Sequence, residues 1–351
     1  MGILPWSFRK RSDFYADKHI LITGGSSGIG KELARNVTEA GATVTLVARN
    51  KDRLRAAALE LNPREPSASS SSRVYVYAAD CSDPKAVDDM VAFVEEHYGP
   101  IDILVNCAGS AVGGYFESLD PCSFQDQMNS NYFTQVFPTH AIFKRMARRR
   151  AGHIVFTSSM AGQTPVFGQS AYVPTKYAVR GLAETVYHEA KPYNIDVTVV
   201  YPPDTDTPGL HQERSTMPPE TLEISESGGL FSAEHVAKAI ADGVRRKRFR
   251  VCIGFIGRLL GILTAGVTPG LSLLDVLVIP IARALTPFFV WDQNRIIRKG
   301  HAIRFPNTST PQCPKPQQNA QSEPRSKPQL HEEPQQKQEP KQNMEPLQQK
   351  L

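Results

Sequence analysis

Residues 19–30 read H-I-L-I-T-G-G-S-S-G-I-G, and their order decides the fold. A short β-branched run is a strand, the glycine cluster after it is a turn, and K-E-L-A-R-N-V-T-E-A-G beyond is an amphipathic helix. Gly24 allows the tight turn, Gly28 lets backbone approach a pyrophosphate, and Gly30 lets helix and strand pack closely. Ser26, Ser27 and Ile29 complete the turn. The helix start then offers free N–H groups and a partial positive charge, the setting that receives a dinucleotide phosphate.

Outward from this unit, similar runs recur: A-T-V-T-L-V-A (42–48), R-V-Y-V-Y-A (73–78), D-I-L-V-N (102–106), H-I-V-F-T-S (153–158) and D-V-T-V-V-Y (196–201). Amphipathic stretches such as P-K-A-V-D-D-M-V-A-F-V-E-E-H-Y-G separate them. Alternating strands and helices predict an α/β domain over residues 19–250, a doubly wound parallel sheet of Rossmann type. The Ser-rich 63–73 reads as a surface loop. The Pro- and Gly-bearing stretch from Asp204 to Gly229 reads as an irregular lid over a site.

The second strand ends Ala48-Arg49-Asn50, with Arg53 one helical turn on. An NAD site places an acidic residue here for the ribose 2′-hydroxyl, whereas two guanidiniums suit a 2′-phosphate, so the cofactor implied is NADPH. Asp80, with Cys81 beside it, follows the third strand, where a carboxylate accepts from the adenine amino group. Asn106, Ala108 and Gly109 follow the fourth, at the carboxyl edge where ligands of open α/β sheets sit.

The chemistry gathers at Ser158-Ser159 and at Tyr172 and Lys176, which lie four apart on one helix face. A free phenol titrates near ~10, and an ammonium beside it favours phenolate. Tyr172 is therefore the candidate acid, with Lys176 lowering its pKa and holding the nicotinamide ribose. Ser159 is the group that steadies a substrate carbonyl. Pro174 falls in the first helical turn, where proline costs little.

T-G-x-x-x-G-x-G, N-x-A-G, Ser and Y-x-x-x-K in this order resemble the short-chain dehydrogenase/reductase superfamily over residues 19 to about 250. The resemblance implies the roles above. It also implies that Asn131 completes a tetrad, holding a water that relays protons to Lys176; family members often have glycine where this chain has Thr134. A possible homo-oligomer is implied as well. A-Y-V-P-T-K, K-P-Y-N and above all Y-P-P-D-T-D-T-P-G are similar to the 3-ketodihydrosphingosine reductases. That narrower resemblance implies NADPH-dependent reduction of a long-chain-base lipid at the endoplasmic reticulum membrane, with the catalytic domain facing the cytosol. A reductase of another apolar ketone, such as a steroid or retinoid, would share every catalytic residue. A non-catalytic cofactor-sensing or membrane-tethering protein would not need the tetrad.

The remaining segments are distinct in character. Residues 1–18 are short and basic, too polar for a signal peptide or a span. Residues 251–304 hold two apolar segments parted by a T-P-G turn and followed by basic residues; they read as a membrane-associated hairpin, as two spans, or as a cap on the core. Residues 305–351 are Pro/Gln-rich and almost without aromatics, so a disordered tail is expected. A net charge of +5 with no nucleic-acid module sets nucleic acid aside. Five cysteines without C-x-x-C spacing read as reduced thiols, and nine histidines without ligand spacing give a metal no support.

Overall fold

The six apolar runs become strands within one residue of their expected ends. A computed structural model describes residues 14–62, 73–226, 228–265 and 273–304. Most of 1–18, the Ser-rich 63–72, the T-P-G turn and the tail from 305 lie outside the described residues. In chain order the elements are β1 (His19–Thr23), α1 (Gly28–Glu39), β2 (Thr43–Ala48), α2 (Lys51–Leu61), β3 (Val74–Ala78), α3 (Pro84–Tyr98) and β4 (Ile103–Asn106). Next come α4 (Pro121–Met128), α5 (Thr134–Arg149), β5 (Gly152–Thr157), α6 (Val173–Ala190) and β6 (Ile195–Tyr201). The chain continues with β7 (Thr205–Asp206), α7 (Pro208–Arg214), α8 (Pro219–Glu226), β8 (Phe231–Ser232), α9 (Ala233–Arg245), β9 (Arg250–Cys252), α10 (Gly254–Leu263) and α11 (Leu273–Arg304).

The main sheet runs β3-β2-β1-β4-β5-β6-β9, parallel throughout. Strand order reverses between β1 and β4, which opens a crevice at the carboxyl ends of those strands. Alternate residues of each strand feed opposite cores. Leu104, Phe156 and Val199 pack with α3, α5 and α6 on one face, and Ile22, Leu46 and Val155 with α1, α2 and α9 on the other. Helix starts follow the local chemistry. Asn50 accepts from the Arg53 N–H at 2.9 Å, and Asp83, with Pro84 behind it, from the Lys85 N–H at 2.9 Å.

Two expectations need correction. Residues 204–229 are not irregular: β7 pairs with β8 in a small parallel sheet, and α7 and α8 follow β7. The prolines that suggested a loop stand at helix starts, where the missing N–H is no loss, and Thr207 caps α7 through the Leu210 N–H at 3.1 Å.

Residues 251–304 do not stand apart from the catalytic unit. Val251 and Cys252 belong to β9, and the compact unit runs to Pro306. No helix among the described residues is long and apolar enough to cross a membrane. α11 is not a buried cap either: Leu277 is 72% exposed, Phe288 69% and Trp291 58%. Its far end docks, with Ile296 buried and the Arg304 guanidinium 3.7 Å from the Tyr115 ring centroid.

These two environments predict opposite responses to truncation. Phe156→Ala should cost about 3–5 kcal/mol. Leu277→Ala and Phe288→Ala should stay within about 0.5 kcal/mol of the parent in denaturant melts. A large loss at Leu277 would mean that α11 buries its apolar face on this chain.

Candidate active site

The glycine turn and the loop after β4 close against each other. Gly24 has φ +68°, and a Cβ there would stand 2.8 Å from the Ala108 nitrogen. The Thr23 hydroxyl accepts from the N–H groups of Cys107 and Ala108, both at 3.2 Å, and so ties β1 to that loop. Ser26 is half-buried, Ile29 packs on the α1-side core, and Gly30 abuts the Gly24 carbonyl. Gly28 faces the Thr207 side chain of the lid. Ser27 occupies the N-cap of α1 without a side-chain capping bond, so the first-turn N–H groups keep their capacity for an anion.

Arg49 and Arg53 are both exposed, beyond the end of β2 and in the first turn of α2. Burial pushes the Asp80 carboxyl up, but two hydrogen bonds from Ser82, at 2.8 and 2.7 Å, and the Arg49 charge outweigh it and leave it below the usual range. Two residues expected at the cofactor turn their side chains elsewhere. The Cys81 thiol lies in the core, and burial raises it to about 12. Asn106 Nδ2 donates inward to Thr139 Oγ1 at 3.1 Å and to the Val155 carbonyl at 3.2 Å.

Ser159 follows β5; its hydroxyl accepts from the Ala161 N–H at 3.1 Å and draws the Tyr172 phenol toward ionisation. Ser158 Oγ donates to the Lys176 carbonyl at 2.9 Å, which pins the first turn of α6 to the strand end. Lys176 is only 5% exposed; its Nζ donates to the Thr157 carbonyl at 3.2 Å and lies 5.5 Å from the Tyr172 ring centroid. Burial lowers the Lys176 ammonium to about 8, against upward pulls from Cys107 and Glu213. Burial raises the Tyr172 phenol, Glu213 adds to this, and the Ser159 hydroxyl opposes it.

Asn131 sits fully buried in a π-helical turn, Asn129–Phe133. Its side chain clamps Ser110, accepting from the N–H at 3.2 Å and donating to the carbonyl at 2.7 Å. A Cβ on Gly109 would lie 2.6 Å from Asn131 Oδ1 and 3.5 Å from Lys176 Nζ, so both converge on Gly109 and only glycine fits between them. Thr134, which replaces the usual glycine, donates to the Ser130 carbonyl at 2.8 Å. Wider π-turns leave carbonyls without their ordinary partner, and a hydroxyl one turn on supplies it.

Gln135 escaped the sequence reading. Fully buried, it donates through Nε2 to the carbonyls of Asn131 (3.1 Å) and Thr157 (2.9 Å) and accepts from the Thr157 N–H at 3.1 Å. The Asn131 backbone carbonyl is thus engaged by Gln135, while its side chain holds Ser110. A buried amide inside an otherwise apolar helix face was the available signal. Glu213 of α7 was missed because its segment read as loop.

The arrangement can hold a carbonyl oxygen against two hydroxyls, with a buried ammonium behind them. A family profile described as short chain dehydrogenase matches residues 18–218. The 3-ketodihydrosphingosine reductase of Mus musculus is 42% identical over 286 residues, covering 80% of this chain and 86% of the relative. The 3-dehydrosphinganine reductase of Danio rerio is 40% identical over 287 residues, covering 80% and 86%. The 3-ketodihydrosphingosine reductase of Dictyostelium discoideum is 37% identical, covering 82% and 90%. Among solved structures, levodione reductase superposes with a TM-score of 0.61 at 23% identity, over 67% of this chain and 94% of that one. A short chain dehydrogenase/reductase from Burkholderia phymatum in complex with NAD gives 0.60 at 21%, over 68% and 89%. At these identities both structures speak for the fold.

A buried ammonium whose pKa falls on folding destabilises the folded chain at low pH; the penalty fades as pH rises from about 8 toward 10.5. Lys176→Met should therefore raise the Tm at pH 7, with a gain that shrinks above pH 8, while kcat falls by about 100-fold or more. Thermal melts across that pH range check the sign, and an unchanged or lower Tm at pH 7 would contradict it.

Proposed function

This chain belongs to the short-chain dehydrogenases, and from that we propose that it reduces 3-ketodihydrosphingosine to dihydrosphingosine with NADPH. The convergence of Ser159, Tyr172 and Lys176 carries the reading, in a chain 40–42% identical to reductases of that name over four-fifths of its length.

The residues present fit the cofactor. The turn at Gly24 admits no Cβ, the start of α1 keeps its N–H groups, and two exposed guanidiniums flank the end of β2. Arg49 and Arg53 would hold a 2′-phosphate, and Lys176 the nicotinamide ribose. When bound, NADPH supplies the hydride. This chain's own residues then do the rest: Ser159 donates to the ketone oxygen and steadies its developing charge, and Tyr172 delivers the proton. Asn131 fixes the Ser110 backbone beside them. A phenol raised by burial is protonated at neutral pH, the state a ketone reduction requires of its acid.

A cavity of about 320 Å³ begins beside the site at Met160 and is lined by Pro203, Phe231, Ile253, Phe255 and Ile256. Its size and apolar lining suit a hydrocarbon chain. Phe255, on its rim, is 81% exposed and continues toward the apolar surface of this region. Exposed apolar side chains along α11, Leu277, Leu285, Phe288 and Trp291 among them, with Arg295, Arg298 and Lys299 following, support residence on an anionic lipid surface, here the cytosolic face of the endoplasmic reticulum.

Detergent-solubilised protein should oxidise NADPH in the presence of 3-ketodihydrosphingosine. Tyr172→Phe should lower kcat by roughly 10²–10⁴-fold. The double variant Arg49→Ala with Arg53→Ala should raise the KM for NADPH by about 10- to 100-fold and leave that for NADH nearly unmoved. Tight cofactor binding without turnover of this ketone would overturn the substrate; equal losses for both nucleotides would overturn the choice of NADPH.

A further inference from the structure

The proposed substrate bears an amine on the carbon next to its ketone, and the role assigned to Glu213 rests on that reading of the substrate. With the ketone oxygen held by Ser159 and Tyr172, the amine comes to lie beside the catalytic pair. Lys176 already places one buried ammonium there. A second cation in the same poorly solvated space is repelled unless a carboxylate meets it.

Two acidic side chains act on this centre. Asp204 bears on Tyr172, but the Ser225 hydroxyl donates to its carboxylate and the Arg214 charge lies nearby. Glu213 bears on both Tyr172 and Lys176. It is half-buried, and its Oε1 accepts from Gln169 Nε2 at 3.0 Å. Among the described residues that is the carboxylate's sole hydrogen bond, and no cation lies within ion-pair distance of it, although a carboxylate offers about four acceptor sites.

Gln169 fixes where this carboxylate stands. Its own carbonyl accepts from the N–H groups of Tyr172 (3.1 Å) and Val173 (2.9 Å), so Glu213 is tethered to the turn that carries the catalytic phenol. Burial, with Asp204 next, raises the Glu213 carboxyl to about 7, while Lys176, Gln169 and Arg214 pull it down. A group so placed is under-compensated, and a substrate cation supplies what it lacks.

We propose that Glu213 receives the substrate's amino group and so makes the site selective for 2-amino ketones over plain long-chain ketones. The carboxylate then offsets the repulsion between substrate ammonium and Lys176.

The test compares 3-ketodihydrosphingosine with the same ketone lacking the amine, on the full-length parent, Glu213→Gln and Asp204→Asn. NADPH-binding titrations confirm that each variant is folded. The parent should prefer the amino ketone in kcat/KM. Glu213→Gln should lose roughly 10- to 100-fold more on the amino ketone than on the amine-free one, chiefly through KM. Equal losses on both ketones, or loss of selectivity in Asp204→Asn rather than Glu213→Gln, would overturn the assignment. A parent enzyme that reduces both ketones equally well overturns this inference alone. One that reduces neither overturns the substrate reading and this inference together.

Discussion

A lysine ammonium held out of water at the end of the sheet is the constraint around which the site is organised. Transferring such a charge from water is costly unless hydrogen bonds and opposite charge compensate. Each neighbour of Lys176 contributes to that compensation: the Thr157 carbonyl accepts from it, the Tyr172 ring presents its face, and Glu213 adds negative charge. The same neighbours fix the geometry. Ser158 ties the carbonyl of Lys176 to β5, Gln135 aligns the Thr157 peptide on both sides, and Gly109 leaves room for both the ammonium and the Asn131 amide. Compensation and catalytic alignment are one arrangement of atoms.

Much of that arrangement is legible in the sequence because short-range rules govern it. Each of the first six strands is a β-branched run closed by a turn signal. The roles of Gly24 and Tyr172-x-x-x-Lys176 depend on a spacing that one turn or one helix fixes by itself. What the sequence hides depends on distant pairings. Gln135 looks like an ordinary helix residue until β5 brings the Thr157 peptide against it. Asn106 and Cys81, read from their places after strands, turn inward because sheet and helix layers offer their side chains partners or apolar cover there.

The lid illustrates a different failure. Pro208 and Pro219 are breakers only in helix interiors; at a helix start proline's fixed φ is already helical. Read with Thr207 as a cap, the same residues predict α7, and it is on α7 that the second charge of the site resides. β9 was hidden for another reason. Its three residues follow the basic R-R-K-R-F and leave no periodicity to detect, yet pairing with β6 extends the sheet by one strand.

α11 shows how an apolar sequence divides its work between two surroundings. Pro280 and Pro287 each remove a backbone donor, which the exposed half of a helix tolerates better than a packed one. Beyond Trp291 the helix becomes basic and packs on α8 of the lid. There Glu220, buried on α8, accepts from the Tyr115 hydroxyl at 2.9 Å, and Arg304 both covers the Tyr115 ring and pairs with Glu117. The exposed apolar half and the half that braces the lid are therefore one continuous helix. Through that helix, the lipid surface proposed above would bear on α8.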